Sequence, residues 1–135
     1  MPASHSRRDF VAASLGALVT LTVRPLRADP SPHPTPRPGI TADKVLRREQ
    51  LAESPDAVAV FDMVREIPEV VDGIRCNCGC ASSPGYYSLL TCFEGKDAMA
   101  QHCQVCQGQG RLAHRLHKAG KSLDEIRKGI DARYG

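Results

Sequence analysis

The sequence predicts a mainly α protein, a small helical hairpin or bundle with a cysteine-rich loop packed on a Cys-x-x-Cys helix. Three observations predict it. Helix start and stop signals recur along the chain, at Ser54-Pro55-Asp56, at Gly120 and at Ser122-Leu123-Asp124-Glu125. The chain has no Trp and only 4% aromatic residues, so a small core has little to fill it. Six cysteines fall between positions 76 and 106, and they are the obvious staple for such a core.

The N-terminus reads Ser6-Arg7-Arg8-Asp9-Phe10, followed by an apolar run over residues 11–23. Paired arginines before a short hydrophobic stretch are the pattern of a twin-arginine (Tat) export signal. The run is shorter than the roughly 20 residues that span a bilayer core. Residues 1–28 are therefore expected to be a Tat-type signal peptide, with Ala28 closing the cleavage region. The expected location is periplasmic or otherwise extracytoplasmic, with the Tat translocase as a partner during export. No cysteine precedes Cys76, so no permanent membrane anchor is expected.

The signal accounts for the chain's basic balance. Residues 1–28 hold Arg7, Arg8, Arg24 and Arg27 against Asp9 alone, which leaves fourteen basic and fourteen acidic residues in the rest. No basic patch with interleaved aromatics remains, so nucleic acid is not an expected partner. Residues 29–39 alternate proline with polar residues, from Pro30 to Pro38, and read as a semi-rigid extended linker in which His33 is solvated. Residues 40–135 form the cysteine-rich helical domain.

Within that domain Thr41 caps a first helical stretch over residues 42–53. Ser54 as N-cap, Pro55 and Asp56 start an amphipathic helix running to residue 66, with Ala57, Val58, Phe61 and Val64 on its apolar face. Pro68 opens a short turn that Gly73 ends. Residues 74–84 read as loop, and residues 86–93 read equally as strand or helix. A long helix is expected over residues 97–119, weakened at Gly108 and Gly110 by about 1 kcal/mol each and stopped by Gly120. Ser122 and Glu125 form a capping box for a last helix, whose buried stripe is Leu123, Ile126, Ile130 and Tyr134. His114 and His117 read as surface or packing residues.

The cysteine spacing is Cys76-x-Cys78-x-Cys80, eleven residues, Cys92, ten residues, then Cys103-x-x-Cys106. Cys103 and Cys106 would share one helix face, a common two-ligand clamp. Gly79 lets the Cys76–Cys80 loop curl around an ion. Cys76, Cys78, Cys80, Cys92, Cys103 and Cys106 are thus candidate metal ligands, with His102 as a candidate auxiliary. Thiolates suit Zn(II) or Cu(I) as the cofactor. Two other readings stay open. A disulfide framework is the usual fate of exported cysteines in even number, with 15 pairings for six. Cys103 and Cys106 also fit a reactive dithiol, although no βαβ pattern surrounds them.

These residues resemble a known family. Ile74-Arg75-Cys76-Asn77-Cys78-Gly79-Cys80 is similar to the signature of the bacterial PCYCGC (CYCxC) proteins. Further matches lie at Leu89-Leu90-Thr91-Cys92-Phe93, at His102-Cys103-Gln104-Val105-Cys106, at Ala119-Gly120-Lys121-Ser122 and in the ending Ile130-Asp131-Ala132-Arg133-Tyr134-Gly135. The resemblance covers residues 55–135, with Arg75 in place of the motif's proline and Asn77 in place of its tyrosine. All six cysteines fall where the family places them. The resemblance implies an exported or lipid-anchored setting and chemically active sulfur, since some similar proteins carry selenocysteine at a cysteine position. The expected role is non-catalytic: an exported thiolate protein that handles Cu(I) or Zn(II). The alternatives are an extracytoplasmic thiol–disulfide protein and a disulfide-stapled domain. No acid/base pair, nucleotide loop or Ser/His/Asp arrangement supports an enzyme, and no protein partner can be named.

Overall fold

The structure is a computed structural model that describes residues 32–135. The export-signal reading of residues 1–28 lies outside the described residues. Four α-helices carry the described fold: α1 (Val58–Glu66), α2 (Pro68–Asp72), α3 (Gln104–Lys118) and α4 (Leu123–Tyr134). Strand pairing among the described residues is limited to one antiparallel bridge, Val45 with Glu94. The mainly helical class and the cysteine loop are as the sequence predicts.

Helix α3 is the centre, and both α1 and α4 pack against it. On α1 the residues Val60, Phe61 and Val64 are fully buried, at the spacing of one helical face. Phe61 meets Phe93 edge-on, with ring centroids 4.8 Å apart and planes at 66°. Such a pair adds about 0.5–1.5 kcal/mol to the burial itself. Ile126 and Ile130 bury the inner face of α4, and Leu123 and Tyr134 pack at its edges. The capping box forms as expected, with the Ser122 hydroxyl accepting from Glu125 N–H and the Glu125 carboxylate accepting from Ser122 N–H. Gly120, at φ +79°, turns α3 into α4.

Three local expectations are corrected. The stretch 42–53 forms only a short 3-10 turn at Arg48–Gln50. Its backbone is engaged elsewhere: Leu46 N–H donates to Phe93 C=O, and Gly95 N–H donates to Lys44 C=O. Ser54 supplies no side-chain cap, and the entry to α1 is instead a turn over Pro55–Ala57 closed by Ala57 N–H on Ser54 C=O. The expected helix over 97–119 is broken at its start, not at its glycines. Met99–Gln101 makes a separate 3-10 turn, and α3 begins at Gln104. Gly110 is where α1 comes closest, since a Cβ there would meet Phe93, Val60 and Val64 at 3.0–3.2 Å. The helix tolerates that glycine because it lets two elements approach.

Residues 32–39 lie against the body and are tied to it. His33 Nε2 lies 2.9 Å from the Asp131 carboxylate, while His33 Nδ1 accepts the Arg75 backbone N–H at 3.0 Å. The backbone N–H can only donate, so the ring proton sits on Nε2 and points at Asp131. His33 is therefore a packed residue and not the solvated one expected. Arg127 donates to Pro34 C=O, and Tyr87 donates to Thr35 C=O.

Arg37 completes the strap. Its guanidinium and backbone N–H hold the fully buried Asp72 carboxylate, which also accepts from the Ser88 hydroxyl at 2.7 Å. Burial alone would push the Asp72 carboxyl up, but Arg37 and Ser88 outweigh it and hold it below the usual carboxylate range. Its contribution to stability is thus present at neutral pH and lost as pH falls through the folded-state value. Arg37→Ala should cost about 3 kcal/mol, the low end for breaking a buried pair, because Arg37 itself is partly exposed. In that variant the residue-37 backbone N–H and the Ser88 hydroxyl still donate to Asp72, so the carboxyl should titrate higher than in the wild type and the stability gained above acid pH should shrink. Denaturant unfolding of both proteins between acid and neutral pH measures the difference.

Candidate metal centre

The cysteine loop leaves α2 through Gly73 and Ile74, and Leu89 N–H pins it by donating to Ile74 C=O at 2.7 Å. Gly79, at φ +92°, reverses the backbone before the turn Cys80–Ser82. That reversal keeps the side chains of Cys76 and Cys78 on the inner side of the loop. Cys92 comes from the buried turn Leu90–Phe93, and Cys106 from the first turn of α3. Cys92 and Cys106 are fully buried and Cys76 nearly so.

Three separate segments thereby bring the sulfurs of Cys76, Cys78, Cys92 and Cys106 within 4.8 Å of one another. The Cys76 sulfur is 3.1 Å from that of Cys78 and 3.4 Å from that of Cys106. A tetrahedral zinc–thiolate centre with bonds of about 2.3 Å has sulfurs about 3.8 Å apart. Four thiols packed this closely, three of them buried and Cys78 half-buried, can hold a metal ion.

The other three sequence-predicted positions fall differently. Cys80 is buried with its sulfur 2.6 Å from that of Cys78, outside the mutual group of four. Cys103 is the N-cap of α3, in extended backbone, and its sulfur accepts the Cys106 N–H at 3.5 Å. The two cysteines of the Cys-x-x-Cys therefore do not share a helix face. One caps the helix, half-buried, and the other enters the sulfur group. His102 is exposed and lines a surface cleft with Glu53, Pro55 and Gln104, also outside the group. All six cysteines are free thiols in the structure.

The site's protons are shared unequally. Contact with the Cys106 sulfur, then with those of Cys92 and Cys78, lowers Cys76 to about 2 against the opposing effect of burial. Burial, then the neighbouring Cys80 and Cys76 sulfurs, push Cys78 up to about 12. Cys106 is pushed up chiefly by the Cys76 thiolate. Cys92 is pulled down by Cys106, but Cys76 and burial outweigh that and push it up.

One polar residue that sequence reasoning did not single out touches this group, and Asn77 lies beside it. Gln109, one turn beyond Cys106 on α3, donates its amide to the Cys76 sulfur. Asn77, between the first two cysteines, accepts from the Arg75 guanidinium at 2.6 Å. Gln109 follows Cys106 at i+3, and that spacing on a helix was the signal available to find it.

Fold and site together define a small helical protein with a buried four-cysteine cluster. The chain belongs to the PCYCGC family, described as protein of unknown function with PCYCGC motif, whose model matches residues 41–135. No curated protein and no solved structure matches it.

Proposed function

We propose that this chain is an exported metal-binding protein that holds a soft ion, Cu(I) or Zn(II), with Cys76, Cys78, Cys92 and Cys106 as the primary ligands. The observation that carries this reading is the convergence of four sulfurs from three segments inside the apolar core. Soft thiolate donors prefer these ions. The Tat signal supports it further, because a folded, loaded protein can cross the membrane with its thiolates already engaged. Replacing both Arg7 and Arg8 by Lys should trap precursor in the cytoplasm, and continued export of that variant would overturn the Tat reading.

The test of the function is competitive metal titration of the reduced protein, combined with free-thiol counting on anaerobic material. Ligands must be deprotonated, and Cys78, Cys92 and Cys106 all titrate high while Cys76 does not. Uptake of one ion at neutral pH should release about three protons, and affinity should rise with pH. Calorimetry in buffers of different ionisation enthalpy reads that number. Release of no protons would count against these four ligands.

A second reading is favoured by one observation. Cys103 caps α3 half-buried and accepts the Cys106 N–H, while Cys106 lies buried behind it. That is the arrangement of an exchangeable dithiol, with the outer sulfur at a helix N-terminus and the inner one buried. Rapid mixed-disulfide formation at Cys103, without metal affinity, would favour it.

A further inference from the structure

We propose that Gln109 is a positioning residue of the metal centre: its amide oxygen fixes the cysteine loop against α3, and its amide N–H donates to the Cys76 sulfur. This inference rests on the metal-binding reading above.

Gln109 is fully buried on the inner face of α3. An amide in such a place is costly unless every polar atom is partnered, and a leucine would fill the same space without that requirement. Here the partners are all at the site. Gln109 Oε1 accepts the Asn77 backbone N–H at 3.1 Å. Gln109 Nε2 donates to the Cys76 sulfur at 3.6 Å and to Val105 C=O at 3.3 Å. The first bond sets the register of the loop between Cys76 and Cys78 relative to Cys106. The third fixes the amide's orientation, so that its remaining N–H can only aim at sulfur.

The chemistry follows from the charge. Four thiolates outweigh a monovalent or divalent ion, so the loaded site carries excess negative charge beside the apolar core. Any thiol proton on a ligand leaves when metal binds. The Gln109 N–H does not leave, and a hydrogen bond to a charged acceptor is stronger than a neutral one. It therefore stabilises the loaded state more than the empty one.

Gln107 supplies the matched control. It is also buried on α3, but its amide donates to Ala100 and Gln101 carbonyls in the preceding turn. Gln109→Met and Gln107→Met each remove one buried amide at nearly constant volume. Reduced wild type and both variants are titrated with Zn(II) and with Co(II) as a spectroscopic probe. Gln109→Met should lose about 10–100-fold in Zn(II) affinity, as changes beside a ligand commonly do, and should shift the thiolate-to-cobalt charge-transfer band. Gln107→Met should leave that band in place. Wild-type affinity and spectrum in Gln109→Met, or an equal loss in Gln107→Met, would overturn the proposal. Should Gln109→Met fail to fold, NMR of the cadmium-loaded wild type decides: the Gln109 side-chain amide protons should show scalar coupling to cadmium through the Cys76 sulfur. Bound cadmium without that coupling overturns the role of Gln109 and leaves the metal reading standing. A wild type that binds none of these ions overturns both.

Discussion

Cys106→Ser is expected to weaken Zn(II) or Cu(I) binding about a hundredfold, while Cys103→Ser leaves it nearly unchanged. The two positions are three residues apart, but the fold treats them differently. The Cys106 sulfur is fully buried, 3.4 Å from Cys76 and within the group of four. Structural zinc binding is worth roughly 10–16 kcal/mol, so each of four thiolates carries about 3 kcal/mol, which is two orders of magnitude in affinity. Cys103 lies outside the group as a helix cap, and serine is itself a favoured N-cap, so the exchange preserves the start of α3. Combining Cys76→Ser with Cys106→Ser should cost less than the sum of the two, because the first loss already loosens the geometry that the second ligand needs. Competitive titration of the reduced wild type and these four variants measures all of this. If Cys103→Ser costs as much as Cys106→Ser, the ligand set is wrong. If none of the proteins binds tighter than about micromolar, roughly −8 kcal/mol, the metal reading is wrong and thiol exchange takes its place.

The split between Cys103 and Cys106 also shows where reading the sequence reached its limit. The α3–α4 hairpin was legible because its signals are local: Gly120 and the Ser122–Glu125 box make their bonds within a few residues. The entry to α1 was legible in place, at Pro55, but not in kind, since a 3-10 turn over Pro55–Ala57 stands where a Ser54 cap was expected. The stretch 42–53 was misread because what decides it is distant in sequence, the backbone bonds to residues 93–95. The start of α3 was misplaced because Gly108 and Gly110 looked like the weak point. They are instead where α1 and α4 come close to α3, and the true break precedes Gln104. That error of a few residues put Cys103 inside a helix and on the wrong face. His33 and Gln109 were missed in a related way. A lone His in a proline-rich stretch carries no local mark of its partners Asp131 and Arg75, and for Gln109 only the i+3 spacing from Cys106 pointed to the site, not to its partner Cys76.

Stripping metal from the reduced protein should lower its melting temperature by about 10–20 °C. The sulfur group joins the loop after α2, the turn that carries Cys92 and the first turn of α3. A metal there crosslinks three segments that otherwise meet through a modest apolar core and a few hydrogen bonds. A ligand that binds only the folded state, present at about a hundred times its dissociation constant, adds about 2.7 kcal/mol. A domain of this size shifts by about 4–8 °C for each kcal/mol. The loss on chelation should be larger at higher pH, because affinity rises as the protons on Cys78, Cys92 and Cys106 become easier to displace. Thermal scans of the reduced protein, with and without a strong chelator at two pH values, give the result. A chain stapled by disulfides instead would ignore the chelator and melt early only when reductant is added. That opposite pattern would remove the metal from the account of its stability.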